Sequence, residues 1–425
     1  MNLLTKGVVG LILSFCLAAA PVLAESYLIK NATLHTATAK GMLKQADILI
    51  KDGKIIKVAQ DINVAGKVNV VEAEGKHITP GLINASTNMG LVEISAVSST
   101  VDAANENHGM GASFNISPAI NFRSTLIPQN RINGLTRAIV LPRSGESIFA
   151  GQGAAIALHS NMQGMLKKNV AQVAAYGNSG AGKAGGSRAA AMQMLDKALT
   201  EAKYLRSNKS LYKPGFKWEF SQSIDDLKAL YSVLDKKTPL VISAHRQDDI
   251  LRLIDLAKKH RVNLVISGGG EAWTVAKQLA DAKVPVIMDP MRNLPQFESL
   301  AVRLDGAARL YKAGVKLLFT GGGTHNGYLV RQSAGNAVAY GLPSEAAVEA
   351  MTINTAEVFG IKNYGQLKAG MDADIVVWDG DPLEITSNPD MVLIQGQTQP
   401  LVSRATRLRD RYWDLNTKQP AAFIR

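Results

Sequence analysis

The fold is decided by the stretch Ile78-Thr-Pro-Gly-Leu-Ile-Asn-Ala-Ser-Thr-Asn-Met-Gly90. It enters through Pro-Gly, continues with apolar residues and ends with small polar side chains. This pattern is typical of a strand that is buried on both faces and carries polar groups at its far end. We therefore expect a larger domain with a parallel sheet to begin at this strand.

Downstream of this strand, apolar runs alternate with amphipathic runs as far as Ala339. Such alternation predicts a parallel sheet covered by helices, and the span from Ile78 to Ala339 suits a (β/α)8 TIM-like barrel. An open doubly wound sheet is the alternative. The predicted strands are 137–141, 154–158, 170–175, 239–245, 262–267, 284–288 and 315–320, and the predicted helices include 187–204, 248–259, 271–282 and 297–313.

The two ends of the chain are β-rich. Asp52-Gly53 separates two β-rich runs, which predicts a hairpin. Short strands near both termini cannot each form a stable sheet alone, so we expect one small composite β-sandwich domain built from both. The expected organisation is 25–79 and 365–401 for this domain, 80–364 for the barrel, and 402–425 for a tail.

Residues 1–24 have the three-part pattern of a secretory signal peptide. Lys6 precedes an apolar run, and small residues lead up to a cleavage site after Ala24. A membrane anchor is the alternative, but the apolar run falls short of the roughly 20 residues that a span needs. We expect a periplasmic or secreted protein without disulfides, because the only cysteine, Cys16, lies in this segment.

The net charge of +12 is dispersed along the chain. Dispersed positive charge affects solubility more than it defines a binding site, and no nucleic-acid-binding motif is present. We therefore expect no nucleic-acid partner and no membrane span after cleavage. A small molecule or peptide is the expected ligand.

Three motifs carry a resemblance to a known family. They are Pro80-Gly81-Leu82-Ile83, then Thr352-x-Asn354-x-Ala356-x-x-x-Gly360, then Gly365-x-Leu367-x-x-Gly370-x-x-Ala373-Asp374-Ile375-Val376. Together they resemble the amidohydrolase superfamily, and in particular its imidazolonepropionase-like and prolidase-like members. The resemblance implies the barrel, the composite β domain and hydrolysis of C–N bonds with zinc or another divalent metal.

The sequence departs from the family at the metal ligands. Where the resemblance implies two histidines on strand one, the chain has Ser86 and Asn88. His245 is in register on strand five, but strand six ends in Ser267-Gly268 and strand eight in Thr320-Gly321. One imidazole is too few for a zinc site, which normally has three or more protein ligands. We expect a degenerate site with no metal cofactor.

Two function classes remain open. In a hydrolase with a non-standard mechanism, His245 and His325 are the candidates for proton transfer, with Ser86, Asn88 and Thr320 binding the substrate. The alternative for the two histidines is a structural hydrogen bond to the backbone. In the second class the chain is a pseudoenzyme, either a binding protein or a subunit that supports an active paralogue, as a homo-oligomer or a hetero-oligomer.

Overall fold

A computed structural model describes residues 25–106, 109–208 and 219–413 of the chain. The predicted signal peptide and residues 414–425 of the predicted tail lie outside the described residues. Among the described residues, no helix is long and apolar enough to cross a bilayer.

Sixteen strands are present in the described part of the chain. They are β1 (Tyr27–His35), β2 (Met42–Lys51), β3 (Lys54–Ala59), β4 (Asn69–Glu72), β5 (His77–Pro80), β6 (Leu82–Thr87), β7 (Leu135–Val140), β8 (Phe149–Ala157), β9 (Met165–Ala175), β10 (Leu240–Ala244), β11 (Leu264–Gly268), β12 (Val286–Met288), β13 (Leu317–Phe319), β14 (Ile375–Trp378), β15 (Pro389–Ile394) and β16 (Gln397–Thr398).

Helices cover the second sheet and follow the last strand. The α-helices are α1 (Leu126–Arg131), α2 (Gly177–Lys183), α3 (Arg188–Ser207), α4 (Ile224–Ala229), α5 (Tyr231–Leu234), α6 (Gln247–His260), α7 (Ala276–Asp281), α8 (Gly306–Lys312), α9 (Val330–Ala339), α10 (Ser344–Ala350), α11 (Ile353–Phe359) and α12 (Arg404–Tyr412). Short 3-10 turns lie at Ser98–Thr100, Ser117–Ala119, Ala272–Val275 and Gly327–Leu329.

The first sheet joins the two ends of the chain. Its strand order is β16-β15-β14-β5-β1-β2-β3, and β4 pairs with β1. The junction is the antiparallel pair β5–β14, in which Pro80 lies opposite Ile375. The turn at Asp52-Gly53 has positive φ at both residues, as the predicted hairpin requires. The expected composite β domain is confirmed.

The second sheet contains β6 to β13 in chain order and forms the barrel. Strand β6 is parallel to β7, and β9 to β13 are parallel to one another. Strand β8 is antiparallel to both of its neighbours, because it joins β9 through a short loop and not through a helical crossover. The TIM-like barrel is confirmed, with one strand inverted.

Strand alternation fixes which residues face the inside of the barrel. Val241, Val265 and Leu318 belong to the buried cluster that fills the interior, whereas their neighbours in sequence pack under the helices. Because side chains alternate with a period of two, the residue two positions later faces the same interior. Residues 243, 267 and 320 therefore point into the mouth of the barrel.

One predicted helix is wrong in extent. Residues 297–305 were expected to be helical, but α8 begins at Gly306 and residues 289–305 form a loop, called here the roof loop. Met291, Leu294, Phe297 and Leu300 of this loop are all exposed. Their apolar repeat has no surface to pack against, so it does not stabilise a helix.

An ionic network lies at the opposite end of the barrel from the mouth. Arg137 on β7 donates from Nε to Asp374 at 2.9 Å and from Nη2 to Asp372 at 2.8 Å, and its guanidinium lies 4.1 Å from the centre of the Tyr364 ring. The backbone oxygen of Asp374 accepts from the N–H of Gly81 at 2.8 Å. These contacts attach the composite sheet to the first barrel strand.

Candidate functional site

The carboxyl ends of the barrel strands surround a cavity of about 680 Å³. The lining includes Ser86 near the end of β6, Asn88 after β6, His245 after β10, Asp289 after β12 and Thr320 after β13. A volume of this size accommodates a small organic molecule. Active sites in barrels of this type lie at this end, so the cavity is the candidate site.

Three of the serines that line the cavity lie at the carboxyl ends of barrel strands. Ser243 and Ser267 are paired in register on β10 and β11, and Ser86 ends β6. No hydroxyl of the three has a hydrogen-bond partner among the described residues. Each can therefore donate to or accept from a bound molecule without breaking a protein contact.

Thr320 closes the barrel at its seam. Its hydroxyl lies 2.7 Å from the backbone oxygen of Ser86 and 2.9 Å from Oδ1 of Asn84. Nδ2 of Asn84 donates to the backbone oxygens of Gly327 at 3.0 Å and Gly321 at 3.3 Å. These bonds connect β13 to β6, between which no ladder pairing occurs in the described residues. Thr320 reaches the cavity wall, but its hydroxyl already has a structural role.

Asn88 is likewise engaged by the protein. Its Nδ2 donates to the backbone oxygen of Leu141 at 2.7 Å, and its Oδ1 accepts from Nε of Arg143 at 2.7 Å. These bonds hold the end of β6 against the segment after β7. The amide therefore has less capacity to bind a ligand than the free hydroxyl of Ser86, and the predicted binding role of both residues stays a prediction.

His245 is the imidazole of the cavity. Its ring lies over Gly268, where a Cβ would stand 2.5 Å from Cε1 and 2.8 Å from Nε2. Gly268 also has a φ of +99°, which L side chains rarely adopt. The His245 ring makes no hydrogen bond to a described residue. A side chain at position 268 would therefore require the His245 ring to move.

Burial lowers the pKa of the His245 imidazole below its ordinary value. The nearby carboxylate of Glu298 opposes this shift in pKa, and the positive charge of Arg292 adds to it. The ring is therefore neutral at neutral pH and can accept a proton.

The second predicted histidine lies elsewhere. His325 is exposed and does not belong to the side chains that line the cavity. The two rings are not brought together in this cavity. Proton transfer by the pair stays a prediction that the geometry does not strengthen.

Asp289 is a cavity-lining residue that the sequence motifs do not indicate. Its Oδ1 accepts from the hydroxyl of Ser333 at 2.7 Å and from the N–H of Met291 at 3.1 Å. It is the one carboxylate that lines the cavity within the described ranges. The available signal was its position directly after the strand Val286–Met288, where polar residues of a barrel reach the mouth.

The roof loop is anchored at its C-terminal half. Oε1 of Glu298 accepts from the N–H of Asn178 at 2.5 Å and from Nη2 of Arg188 at 3.1 Å. Oε1 of Glu271 accepts from the N–H of Ala301 at 3.2 Å, and Nε1 of Trp273 donates to the Ala301 carbonyl at 2.7 Å. These bonds hold the loop in place as one wall of the cavity.

The side chains at the mouth do not fit the divalent metal that the resemblance to amidohydrolases implies. Among the described lining residues, the candidates are one imidazole, His245, and one carboxylate, Asp289, with neutral hydroxyl and amide oxygens around them. Zinc sites use three or four imidazole, thiolate or carboxylate ligands. No group of three or more such side chains in the described part of the chain is placed to hold a metal ion.

The fold and the cavity define a TIM-like barrel protein with a candidate site at the carboxyl ends of its strands. Comparisons with known proteins then identify the family. The Amidohydrolase family model matches residues 232–401. An amidohydrolase from Thermotoga maritima MSB8 of known structure is 27% identical, with a TM-score of 0.77 over 88% of this chain and 99% of that one. The chain belongs to the amidohydrolase superfamily.

Other relatives are more distant or match a shorter part of the chain. Amidohydrolase tasK of Hapsidospora irregularis is 48% identical over 61 residues, which are 14% of this chain and 6% of that protein. A triazine hydrolase variant is 16% identical with a TM-score of 0.55, covering 91% of this chain and 98% of that one. A prolidase complexed with N-methylphosphonate-L-proline is 17% identical with a TM-score of 0.50, covering 89% of this chain and all of that one. At these identities the two structures bear on the fold alone.

Proposed function

We propose that the mouth of the barrel hydrolyses C–N bonds of small amides or peptides, with neutral His245, and not a metal ion, activating the attacking water. Membership of the amidohydrolase superfamily supports this kind of reaction. The observation that carries the proposal is an imidazole in the cavity without a protein hydrogen bond, beside three strand-end hydroxyls that are also free in the described residues, and burial lowers the pKa of this imidazole.

The proposed chemistry uses one water molecule. His245 accepts a proton from the water as its oxygen bonds to the amide carbon, and serine hydroxyls donate to the carbonyl oxygen. When the C–N bond breaks, its electron pair stays on nitrogen, which takes the proton back from the imidazolium. The products are a carboxylic acid and an amine, and His245 returns to its neutral form.

A second candidate is a binding protein without turnover. It is favoured by the donor set at the mouth, because a lone neutral imidazole activates water far less than a bound metal does. In this candidate the same cavity binds the small molecule, or the chain supports an active paralogue as one subunit of a hetero-oligomer.

The proposed location is the periplasm or the exterior of the cell. It rests on the signal-peptide pattern of residues 1–24. Cell fractionation of the full-length protein tests this, with the expected result that the processed chain leaves the cytoplasm.

The test of the reaction is an assay of amine release from a panel of small amides and dipeptides. Wild-type protein is compared with His245→Ala and with His325→Ala, the matched control because this ring lies outside the cavity lining. We expect turnover that survives a chelator, is lost in His245→Ala and is kept in His325→Ala. Turnover that a chelator abolishes, or that His245→Ala retains, contradicts the proposal. Ligand binding without turnover favours the second candidate.

A further inference from the structure

The rim of the cavity carries an arginine whose charge is not paired. Arg292 lies on the roof loop and lines the cavity, and its guanidinium has no ion pair or hydrogen bond to a described residue. By contrast, Arg303 of the same loop also lines the cavity but donates to Asp305 from Nε at 2.6 Å and from Nη2 at 3.1 Å. Arg292 therefore presents a positive charge to the cavity that no carboxylate of the described chain neutralises.

This charge is close to the proposed catalytic group. Arg292 is near enough to His245 to act on its protonation, after the larger effects of burial and of Glu298. Both side chains line one cavity. A small molecule that contacts His245 at one end can therefore reach Arg292 at the other.

The one carboxylate among the described lining residues lies at the strand ends and contrasts in charge with Arg292. Asp289 lies directly after β12, three residues before Arg292, and accepts hydrogen bonds from Ser333 and from the backbone of Met291. It forms no ion pair with Arg292. Asp289 thus places a negative charge at the strand ends and Arg292 a positive charge on the roof loop, so an anionic group on a ligand is repelled by Asp289 and attracted to Arg292.

The roof loop also offers apolar contacts around Arg292. Leu294 lines the cavity although its side chain is 79% exposed, and Phe297 nearby is 94% exposed. A cluster of large exposed apolar side chains at a cavity rim is typical of a surface that is covered when a ligand binds. An apolar group next to the anion would bury part of this surface.

We propose that Arg292 is the anion-recognition residue of this mouth and selects small amides or peptides with an outward-facing carboxylate beside an apolar group. This inference rests on the proposed function in that the ligand occupies the same cavity. An arginine is suited to the role because its guanidinium binds a carboxylate through two parallel hydrogen bonds.

The test uses two probes that differ only in charge: N-acetyl-L-leucine and N-acetyl-L-leucinamide. Binding of each is measured by calorimetry at low and moderate salt. For the wild-type protein we expect the acid to bind about tenfold more tightly than the amide, since hydrogen bonds to charged groups are the stronger ones. The preference should weaken as salt increases, because Arg292 is exposed.

Variants assign the preference to one side chain. Arg292→Gln should reduce acid binding about tenfold and leave amide binding unchanged. Arg252→Gln is the matched control, because it removes the same charge from an exposed position of α6 outside the cavity lining. Equal binding of the two probes, no binding of either, or a preference that Arg292→Gln retains overturns the inference.

His245→Ala separates this inference from the proposed function. It should remove hydrolysis and leave the preference for the acid intact. If hydrolysis depends on His245 but no acid preference exists, the proposed function stands and the role of Arg292 fails. If the preference exists without any hydrolysis, the role of Arg292 stands and the reaction fails.

Discussion

The two ends of the barrel differ in how their polar side chains are paired. At the amino ends, the buried charges of Arg137 and Asp374 pair with each other, and the partly buried Asp372 pairs with the same guanidinium. At the carboxyl ends, the lining is mostly neutral, and the hydroxyls of Ser243 and Ser267 have no partner in the described residues. The family motifs that this chain keeps are thus those that fix the fold. The positions at which it differs from the family are those of the metal ligands.

The largest expected effect is at the amino ends of the barrel strands. Asp374→Ala leaves the buried guanidinium of Arg137 without its main partner, which should lower the free energy of unfolding by about 3–5 kcal/mol. Urea unfolding followed by tryptophan fluorescence measures this. The control is Asp281→Ala, which breaks an exposed pair with Lys277 and should change stability by less than about 0.5 kcal/mol. Similar losses in the two variants contradict the contrast between buried and exposed pairs.

The next effect is a pH dependence of the composite sheet. Burial, aided by the neighbouring charge of His77, lowers the pKa of His35 to about 4, while Asp381 and Glu345 oppose the shift. Because the unfolded chain binds the proton more readily, this residue contributes stability above about pH 6.5 that is lost as the pH falls to 4. The loss approaches about 3 kcal/mol, from the 1.36 kcal/mol that one unit of pKa shift represents.

Unfolding free energies measured between pH 7 and pH 4 test this prediction. His35→Leu should flatten the pH dependence, whereas His325→Leu, at an exposed position, should leave it unchanged. A slope that survives in His35→Leu assigns the pH dependence to other groups.

A smaller effect is expected at the floor of the mouth. Gly268→Ala puts a Cβ against the His245 ring at a backbone φ of +99°, and should cost about 1–3 kcal/mol of stability. It should also displace the imidazole and bring its pKa back toward the ordinary value. Gly323→Ala is the control, because a Cβ there meets no atom within 4 Å. NMR titration measures the pKa of His245 in both variants. An unchanged pKa in Gly268→Ala would contradict this prediction.

The smallest effect separates the two kinds of hydroxyl at the mouth. Thr320→Val removes the bonds to Ser86 and Asn84, and should cost about 1 kcal/mol. Ser243→Ala removes a hydroxyl without a protein partner and should change stability by less than about 0.5 kcal/mol. Thermal unfolding of the two variants compares them directly, and equal losses would mean that Ser243 also has a structural role.

The barrel was predictable because its signals are local and repeated. Each apolar strand from residue 239 onward carries its own pattern, and Asp52-Gly53 specifies its own hairpin. The inversion of β8 was missed, because apolar content does not record strand direction. The helix expected from Phe297 was also wrong, since the spacing of apolar residues does not reveal whether a surface exists to bury them.

The site was only partly predictable. Ser86 could be located from the family resemblance at strand one and His245 from its register on strand five, and both line the cavity. The role of Thr320 in closing the seam and the free charge of Arg292 depend on contacts between distant segments. No spacing in the sequence encodes such contacts.

The central claim is that the mouth of this barrel binds its ligand through protein side chains and not through a divalent metal. Metal analysis of untagged, full-length protein purified without chelators tests it most directly. We expect zinc, iron and manganese each well below one ion per chain. About one tightly bound zinc ion per chain, released together with unfolding, would contradict it.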